Sequence, residues 1–287
     1  MLTAEPEPAG FDPDWLALRE PADHDARATA LLGPLRRALP TGPLVVHDLG
    51  SGTGSMTRWL APQLPGPQRW VLHDHDPGLL AAAERGCAAL RAADGHPVEV
   101  GVRSTDLSRL SAADLAGATL LTASALLDLL TAAEVDALAA ATAATGCPAL
   151  LTLSVAGHVE LDPPDEYDPL MAAAFDAHQR RTVDGRRLLG PDAPAAAAAA
   201  FQRHGLHTRT AGSPWRLGPD HAELTARWLR GWVSAAVQQD PALRPVAAGY
   251  LRRRLDAGAR AVVWHRDLLA LPAGSEIRAR DAAAVPA

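Results

Sequence analysis

Lysine is absent from all 287 residues. A phosphate-binding P-loop needs one, so that class of nucleotide site is excluded. Aromatic residues make up only 4% of the chain, which leaves core packing to alanine, leucine and valine. Cysteine is nearly missing: Cys87 and Cys147 stand far apart, without metal-ligand spacing or a disulfide framework, and read as two buried thiols in a reducing compartment. No apolar run approaches the roughly 20 residues of a membrane-spanning helix, and the longest alanine run, Ala195 to Ala200, is far too short. Basic stripes are missing as well. With a net charge of −6 and a pI near 6.0, nucleic acid is not an expected partner. The opening MLTAEPEPAGFDPDW is acidic and proline-rich, the opposite of a secretory signal, so a soluble cytoplasmic protein without a membrane partner is expected. Residues 1–14 read as loosely attached.

What is present is a core-forming chain, 48% hydrophobic, whose chemistry gathers in Leu44 to Trp59. Leu44, Val45 and Val46 read as a buried strand. The strand reaches Asp48 and then breaks into Gly50-Ser51-Gly52-Thr53-Gly54 before a helical pattern begins. The glycines permit a sharp turn and the close approach of a ligand. N–H groups at the start of that helix would suit a carboxylate or phosphate. The dinucleotide fingerprint G-x-G-x-x-G/A does not fit, because its third position falls on Ser55 or Thr57. Twenty positions after Gly54 a second strand ends in Asp74, followed by His75, Asp76 and Pro77. An acid there can accept hydrogen bonds from both hydroxyls of a ribose.

The run D-L-G-S-G-T-G with the spaced Asp74 closely resembles motif I and the strand-two acid of the class I S-adenosylmethionine (SAM) dependent methyltransferases. The resemblance covers residues 44 to 155 well and the edge strands loosely. It implies an α/β, Rossmann-like, doubly wound and mostly parallel seven-stranded sheet. An N-terminal helical cap is expected, with helical insertions after strand five and between strands six and seven. The implied division is a cap over 1–40, a SAM-binding core over 41–155, a lid or substrate insertion over 156–192, and the remainder over 193–287 with a helical insertion at about 219–256. SAM is the implied cofactor and S-adenosyl-L-homocysteine the product. Its binding residues would be Asp48, Gly50, Ser51, Gly52, Thr53, Gly54, Asp74, His75, Thr105, Asp106, Leu107, Ala123 and Ser124. Asp106 would accept from the adenine amino group and Leu107 would pack on the ring. Arg19 would pair with the SAM carboxylate, the plain alternative being a surface arginine beside Glu20.

The elements alternate as a parallel sheet requires. Strands are expected over Leu44–Asp48, Arg69–Asp74, Val98–Val102, Ala118–Ala123 and Ala149–Val155, with a sixth near Leu206–Ala211 and an antiparallel seventh over Arg260–His265 at the sheet edge. Asp76 reads as an N-cap with Pro77 behind it, and Thr131 with Glu134 as a capping box. The first helical pattern, from Trp15, is broken by Pro21. Trp228 and Trp232 share a helix face and read as core.

The implied activity is methyl transfer from SAM to an O, N or C atom of a small-molecule acceptor by a monomer or homodimer. An acceptor that must lose a proton benefits from a general base. Candidates are His158, His178 and Asp128, each of which could equally be an ordinary surface or helix residue. No metal is expected. Two other readings remain: a SAM-binding fold without transfer activity, serving as a binding or regulatory protein, and an NAD(P)-dependent oxidoreductase. The second is disfavoured by the missing third glycine and by the lack of a Tyr-x-x-x-Lys pair.

Overall fold

A computed structural model describes residues 12–274. The chain begins with helix α1 (Pro13–Ala26) and α2 (Leu32–Ala38), then alternates strand and helix. In order come β1 (Leu44–Leu49), α3 (Ser55–Leu60), β2 (Gln68–Asp74), α4 (Pro77–Cys87), β3 (Val98–Ser104), β4 (Leu120–Ser124), α5 (Ala132–Thr145) and β5 (Ala149–Asp162). Next are α6 (Asp168–Gln179), a small hairpin of β6 (Thr182–Val183) and β7 (Arg186–Arg187), and α7 (Ala193–Arg203). The chain closes with β8 (His207–Gly212), β9 (Trp215–Leu217), α8 (Ala222–Gln239), α9 (Arg244–Asp256) and β10 (Arg260–Leu271).

Seven strands form a continuous sheet in the order β3-β2-β1-β4-β5-β10-β8, and short β9 adds an eighth by pairing with β10. From β3 to β5 all neighbours are parallel; β10 runs antiparallel to both β5 and β8. The order reverses between β1 and β4. At such a switch point the loops leaving the two strands part and open a crevice at the carboxyl ends. The two faces are covered by different helices. Leu35, Met56, Leu60, Trp70, Leu72 and Leu80 pack α2, α3 and α4 on one side, and Leu121, Leu138, Leu151, Ala197 and Phe201 pack α5 and α7 on the other. Full burial of each large side chain stabilises by about 1.5–3 kcal/mol.

Local signals placed the turns. Asp76 caps α4 by accepting from Gly78 N at 2.7 Å, and Thr131 with Glu134 closes a capping box on α5. Cys87 and Cys147 are buried free thiols. Trp232 is buried among Met171, Val233 and Tyr250, where α6, α8 and α9 form a satellite core, and Trp228 stacks on it at 5.5 Å.

Four expectations change. Helix α1 does not stop at Pro21 but runs through it. The lost backbone bond is offset by burial of Ala22 against Trp215 and Leu217, and by an Arg19–Asp23 ion pair spanning the proline. Residues 12–14 are part of that helix and its cap, since Asp12 Oδ1 accepts from Asp14 N at 2.9 Å; residues 1–11 of the segment expected to be loose lie outside the described residues. Strand β5 continues past Val155 to Asp162, because β10 is long enough to pair with it as far as Arg260. Finally, β10 lies inside the sheet and β8 is the edge. Among the described residues no helix is long and apolar enough to cross a membrane, and no cluster of His, Cys, Asp and Glu is set to hold a metal ion.

Candidate cofactor site

A cavity of about 370 Å³ opens at the carboxyl ends of the parallel strands, at the β1/β4 switch point. Its walls come from the turns after β1 (Gly50, Ser51, Gly52, Thr53), β2 (Asp74, His75), β3 (Thr105, Asp106, Leu107, Ser108) and β4 (Ser124, Ala125, Leu126). Helix α1 closes one side with Leu16, Arg19 and Asp23, and Arg27 follows directly after it.

The glycine loop is built for this position. Gly50, Gly52 and Gly54 all have positive φ (62°, 53° and 86°), a region that side chains with a Cβ rarely adopt. The loop holds itself in place: Ser51 N donates to His73 O at 2.9 Å, Gly54 N to Ser51 O at 2.8 Å, and Gly52 N to Asp74 Oδ2 at 2.9 Å. Those N–H groups are therefore taken by the protein rather than presented to a ligand, and α3 spans only six residues. The third glycine has a packing role. A Cβ at Gly54 would stand 2.9 Å from Cys87 Sγ and 3.3 Å from Ala83 Cβ, so its bareness lets α3 and α4 meet. It does not line the cavity, and neither does Ala123.

Asp48 is buried beneath the loop, with Thr122 donating to Oδ1 at 2.7 Å and Thr57 to Oδ2 at 3.2 Å. Burial pushes its carboxyl up to about 6, against the pull of those hydrogen bonds and of the Arg27 charge. Asp74 bridges Gly52 N and Asp76 N, tying the loop after β1 to the end of β2. His75 lies 3.4 Å from the Asp74 carboxylate and is exposed. Below Asp74, His73 touches His47 at 2.9 Å and Thr105 Oγ1 at 2.9 Å, and burial lowers its pKa to about 4. Thr105 N donates to Asp74 O. Asp106 accepts from Ser108 Oγ at 2.6 Å and from Ser108 N at 3.0 Å, which holds its carboxyl below the usual range.

The most unusual residue is Arg27. It is 2% exposed, donates through Nη2 to Ser124 Oγ at 3.1 Å and Ser55 Oγ at 3.2 Å, and lies over the Trp59 ring at 5.4 Å. Its Nε and Nη1 are buried without partners, and so is Oγ of Ser51, another lining residue. Burial lowers the Arg27 pKa, while the Asp23, Asp48 and Asp267 carboxylates act the other way. Asp267 also fixes the next residue, accepting from Ala28 N at 2.8 Å while it accepts from Leu153 N at 2.8 Å. Buried donors left unpaired cost about 1–3 kcal/mol each. Two of them stand on one guanidinium, in a residue that lines the cavity.

No family model matches the sequence, and no curated protein matches it. Among solved structures, the chain is similar to the cyclopropane synthase MmaA2 from Mycobacterium tuberculosis at 12% identity, over 91% of this chain and 94% of that one, with a TM-score of 0.51. A SAM-dependent methyltransferase from Geobacter sulfurreducens in complex with S-adenosyl-L-homocysteine aligns over 91% of this chain and 98% of that one, at 17% identity and a TM-score of 0.45. The chain has the Rossmann-like methyltransferase fold.

On that methyltransferase fold, Arg19, Asp48, Gly50, Ser51, Gly52, Thr53, Asp74, His75, Thr105, Asp106, Leu107 and Ser124 all line one cavity. Arg19 is otherwise engaged. Its Nε and Nη2 pair with Asp23 at 2.9 and 3.1 Å, and its guanidinium lies 4.8 Å over the Trp215 ring. The three base candidates stand outside the walls. His158 projects from β5 into solvent, 3.0 Å from Glu160 and beside Trp264. His178 is buried on α6. Asp128 follows β4 with one carboxyl oxygen buried and unpartnered, and burial raises its pKa. Residues that the sequence did not point to are Asp23, Arg27, Ser55, Leu126 and Arg186.

Proposed function

We propose that the protein is a SAM-dependent methyltransferase acting on an O, N or C atom of a small-molecule acceptor, with S-adenosyl-L-homocysteine as product. One observation carries the reading. The cavity at the switch point combines a glycine loop pinned by the strand-two acid with a buried arginine whose donors lack partners. SAM matches those features in kind: an adenosine for the Asp74 and Asp106 side, and a methionyl carboxylate for the cation. Arg27, not Arg19, would hold that carboxylate, with Ser51 Oγ supplying a second polar contact. Asp74 would hold the ribose, and Leu107 with Leu126 would flank the base.

SAM supplies an activated methyl group on a sulfonium, so the protein mainly aligns the acceptor and excludes water. The cap helix does the latter here. It is fastened to the loop and α3 by Glu20, which pairs with Arg58, by His24 Nε2 at 3.2 Å from Ser55 O, and by the Arg27–Ser55 bond. Leu16 of the same helix lies over Gly52, where a Cβ would meet it at 3.4 Å. Within the walls, the carboxylates of Asp23, Asp48 and Asp74 all accept hydrogen bonds from the protein itself. The reading assigns no general base, which suits an acceptor that is already nucleophilic.

Isothermal titration with SAM and S-adenosylhomocysteine, with NADH as control, tests this. Micromolar binding of the two adenosyl ligands alone is expected. Binding of NADH in their place, or of none of the three, would overturn the proposal.

A further inference from the structure

Arg186 reaches the cavity wall from beyond β5, outside the strand-end turns. It belongs to the β6–β7 hairpin that follows α6, a segment whose four strand residues are all exposed and bury no core. The hairpin nonetheless has a fixed position: Leu188 N donates to Arg181 O at 3.1 Å, and Leu189 N to Leu130 O at 2.9 Å. Arg186 itself is latched. Its Nε and Nη2 form a fork onto Glu134 at 3.0 and 2.7 Å, and Nη2 also reaches Leu129 O at 3.3 Å. Glu134 cannot swing away freely, because its Oε2 also accepts from Thr131 N at 2.8 Å in the α5 capping box. An exposed ion pair contributes little to stability. Here it instead fixes a guanidinium in the cavity wall beside Asp106, Leu107, Ser108 and Leu130, with Nη1 left outside the latch. Arg186 and Asp106 feel each other's charge, each favouring the ionised form of the other.

A carboxylate acceptor beside a fixed cationic donor complements a base edge that sets a donor next to an acceptor, and the order of the two groups decides which base fits. Adenine offers an amino donor next to a ring-nitrogen acceptor, whereas a 6-oxo purine offers an acceptor where the amino group would be. We propose that Arg186 and Asp106 together read the base of the nucleoside ligand, Asp106 taking the amino group and Arg186 donating to the neighbouring ring nitrogen. The inference rests on the cofactor reading above. It also makes the segment after β5 part of the cofactor site.

The test is titration of wild type, Arg186→Met and Glu134→Gln with S-adenosylhomocysteine, 5′-methylthioadenosine and S-inosylhomocysteine, each protein's melting temperature being recorded. Wild type is expected to bind the inosine analogue at least tenfold more weakly than S-adenosylhomocysteine. Arg186→Met is expected to lose about tenfold in affinity for both adenosine ligands, the size of one charge-assisted hydrogen bond, with the melting temperature unchanged. Glu134→Gln loosens the latch and should lose affinity in the same direction by a smaller factor. Equal binding of the adenosine and inosine ligands by wild type would overturn the base-reading pair. Unchanged affinity of Arg186→Met would overturn the role of Arg186 while leaving the cofactor reading intact. Failure of wild type to bind either adenosine ligand would overturn both.

Discussion

Replacing Arg27 by methionine should separate fold stability from ligand binding. Methionine has a similar reach and no charge, so the side chain can still cover the Trp59 ring. The variant loses two hydrogen bonds, to Ser55 and Ser124, at 3.2 and 3.1 Å. Bonds from a charged donor contribute about 1.5–3 kcal/mol each. Against this, the variant no longer buries a cation with two unpartnered donors, Nε and Nη1, each of which costs about 1–3 kcal/mol. The two sides offset one another, and unfolding free energy from urea titration should move by no more than about 2 kcal/mol. Binding has no such offset. Without the guanidinium, the methionyl carboxylate loses its cationic partner, about 1.5–3 kcal/mol or roughly 10- to 150-fold in Kd for S-adenosylhomocysteine. 5′-Methylthioadenosine, which lacks the amino-acid end, should bind the variant as it binds wild type. Unchanged affinity for S-adenosylhomocysteine would refute the reasoning. So would an equal loss for both ligands, because that would mean a general disturbance of the cavity.

Three further outcomes follow from the same geometry. Gly54→Ala places a Cβ 2.9 Å from Cys87 Sγ at a φ of 86° and should cost about 2–4 kcal/mol of stability, whereas Gly52→Ala, strained by its φ of 53° but meeting only Leu16 at 3.4 Å, should cost less stability and weaken S-adenosylhomocysteine binding more; urea titration and calorimetry distinguish them, and the reverse pattern would exchange the two roles. Asp74→Asn retains the shape of the acid but weakens its hold on Gly52 N and on a ribose, so S-adenosylhomocysteine affinity should fall by about 1–3 kcal/mol, with wild-type affinity counting against the ribose assignment. His265 is buried and its pKa is depressed to about 4, so the unfolded chain takes up a proton from about pH 6.5 downward while the native one does not. Its stabilising contribution is complete above pH 6.5 and is lost as pH falls toward 4, by about 1.4 kcal/mol per pH unit. His265→Gln should remove that slope from the difference between urea titrations at pH 7 and pH 5, and identical pH dependence in the two proteins would contradict it.

The strand-end walls of the cavity were legible because their signals are short-range. A strand, a glycine turn and an acid at the next strand end specify one another within 31 residues, and the parallel order from β3 to β5 puts the corresponding turns side by side. Asp48, Gly52 and Asp74 stand out in that pattern, and Asp106 was added by the family resemblance. The surroundings of the base candidates were not legible, since they are assembled across long separations. The sequence pattern ends strand β5 at Val155, yet β10, about a hundred residues later, pairs with it as far as Asp162 and carries His158 away from the cavity into solvent.

The proposal of Arg27 in place of Arg19 has a more instructive cause. Both arginines sit ahead of the sheet, and composition does not distinguish them. The discriminating signal is Asp23, four residues after Arg19, which neutralises it only if the helix continues through Pro21. Treating the proline as a stop conceals that pair and leaves Arg19 looking available. Continuing the helix takes Arg19 into its ion pair, buries Asp23 against Trp215 Nε1 at 2.9 Å, and ends α1 with Arg27 entering the cavity. The arrangement of the two arginines thus depends on tertiary packing overriding a local breaker: β9 and β10 bury Ala22 beside the proline, and the continued helix pairs Arg19 and leaves Arg27 at its end in the cavity wall.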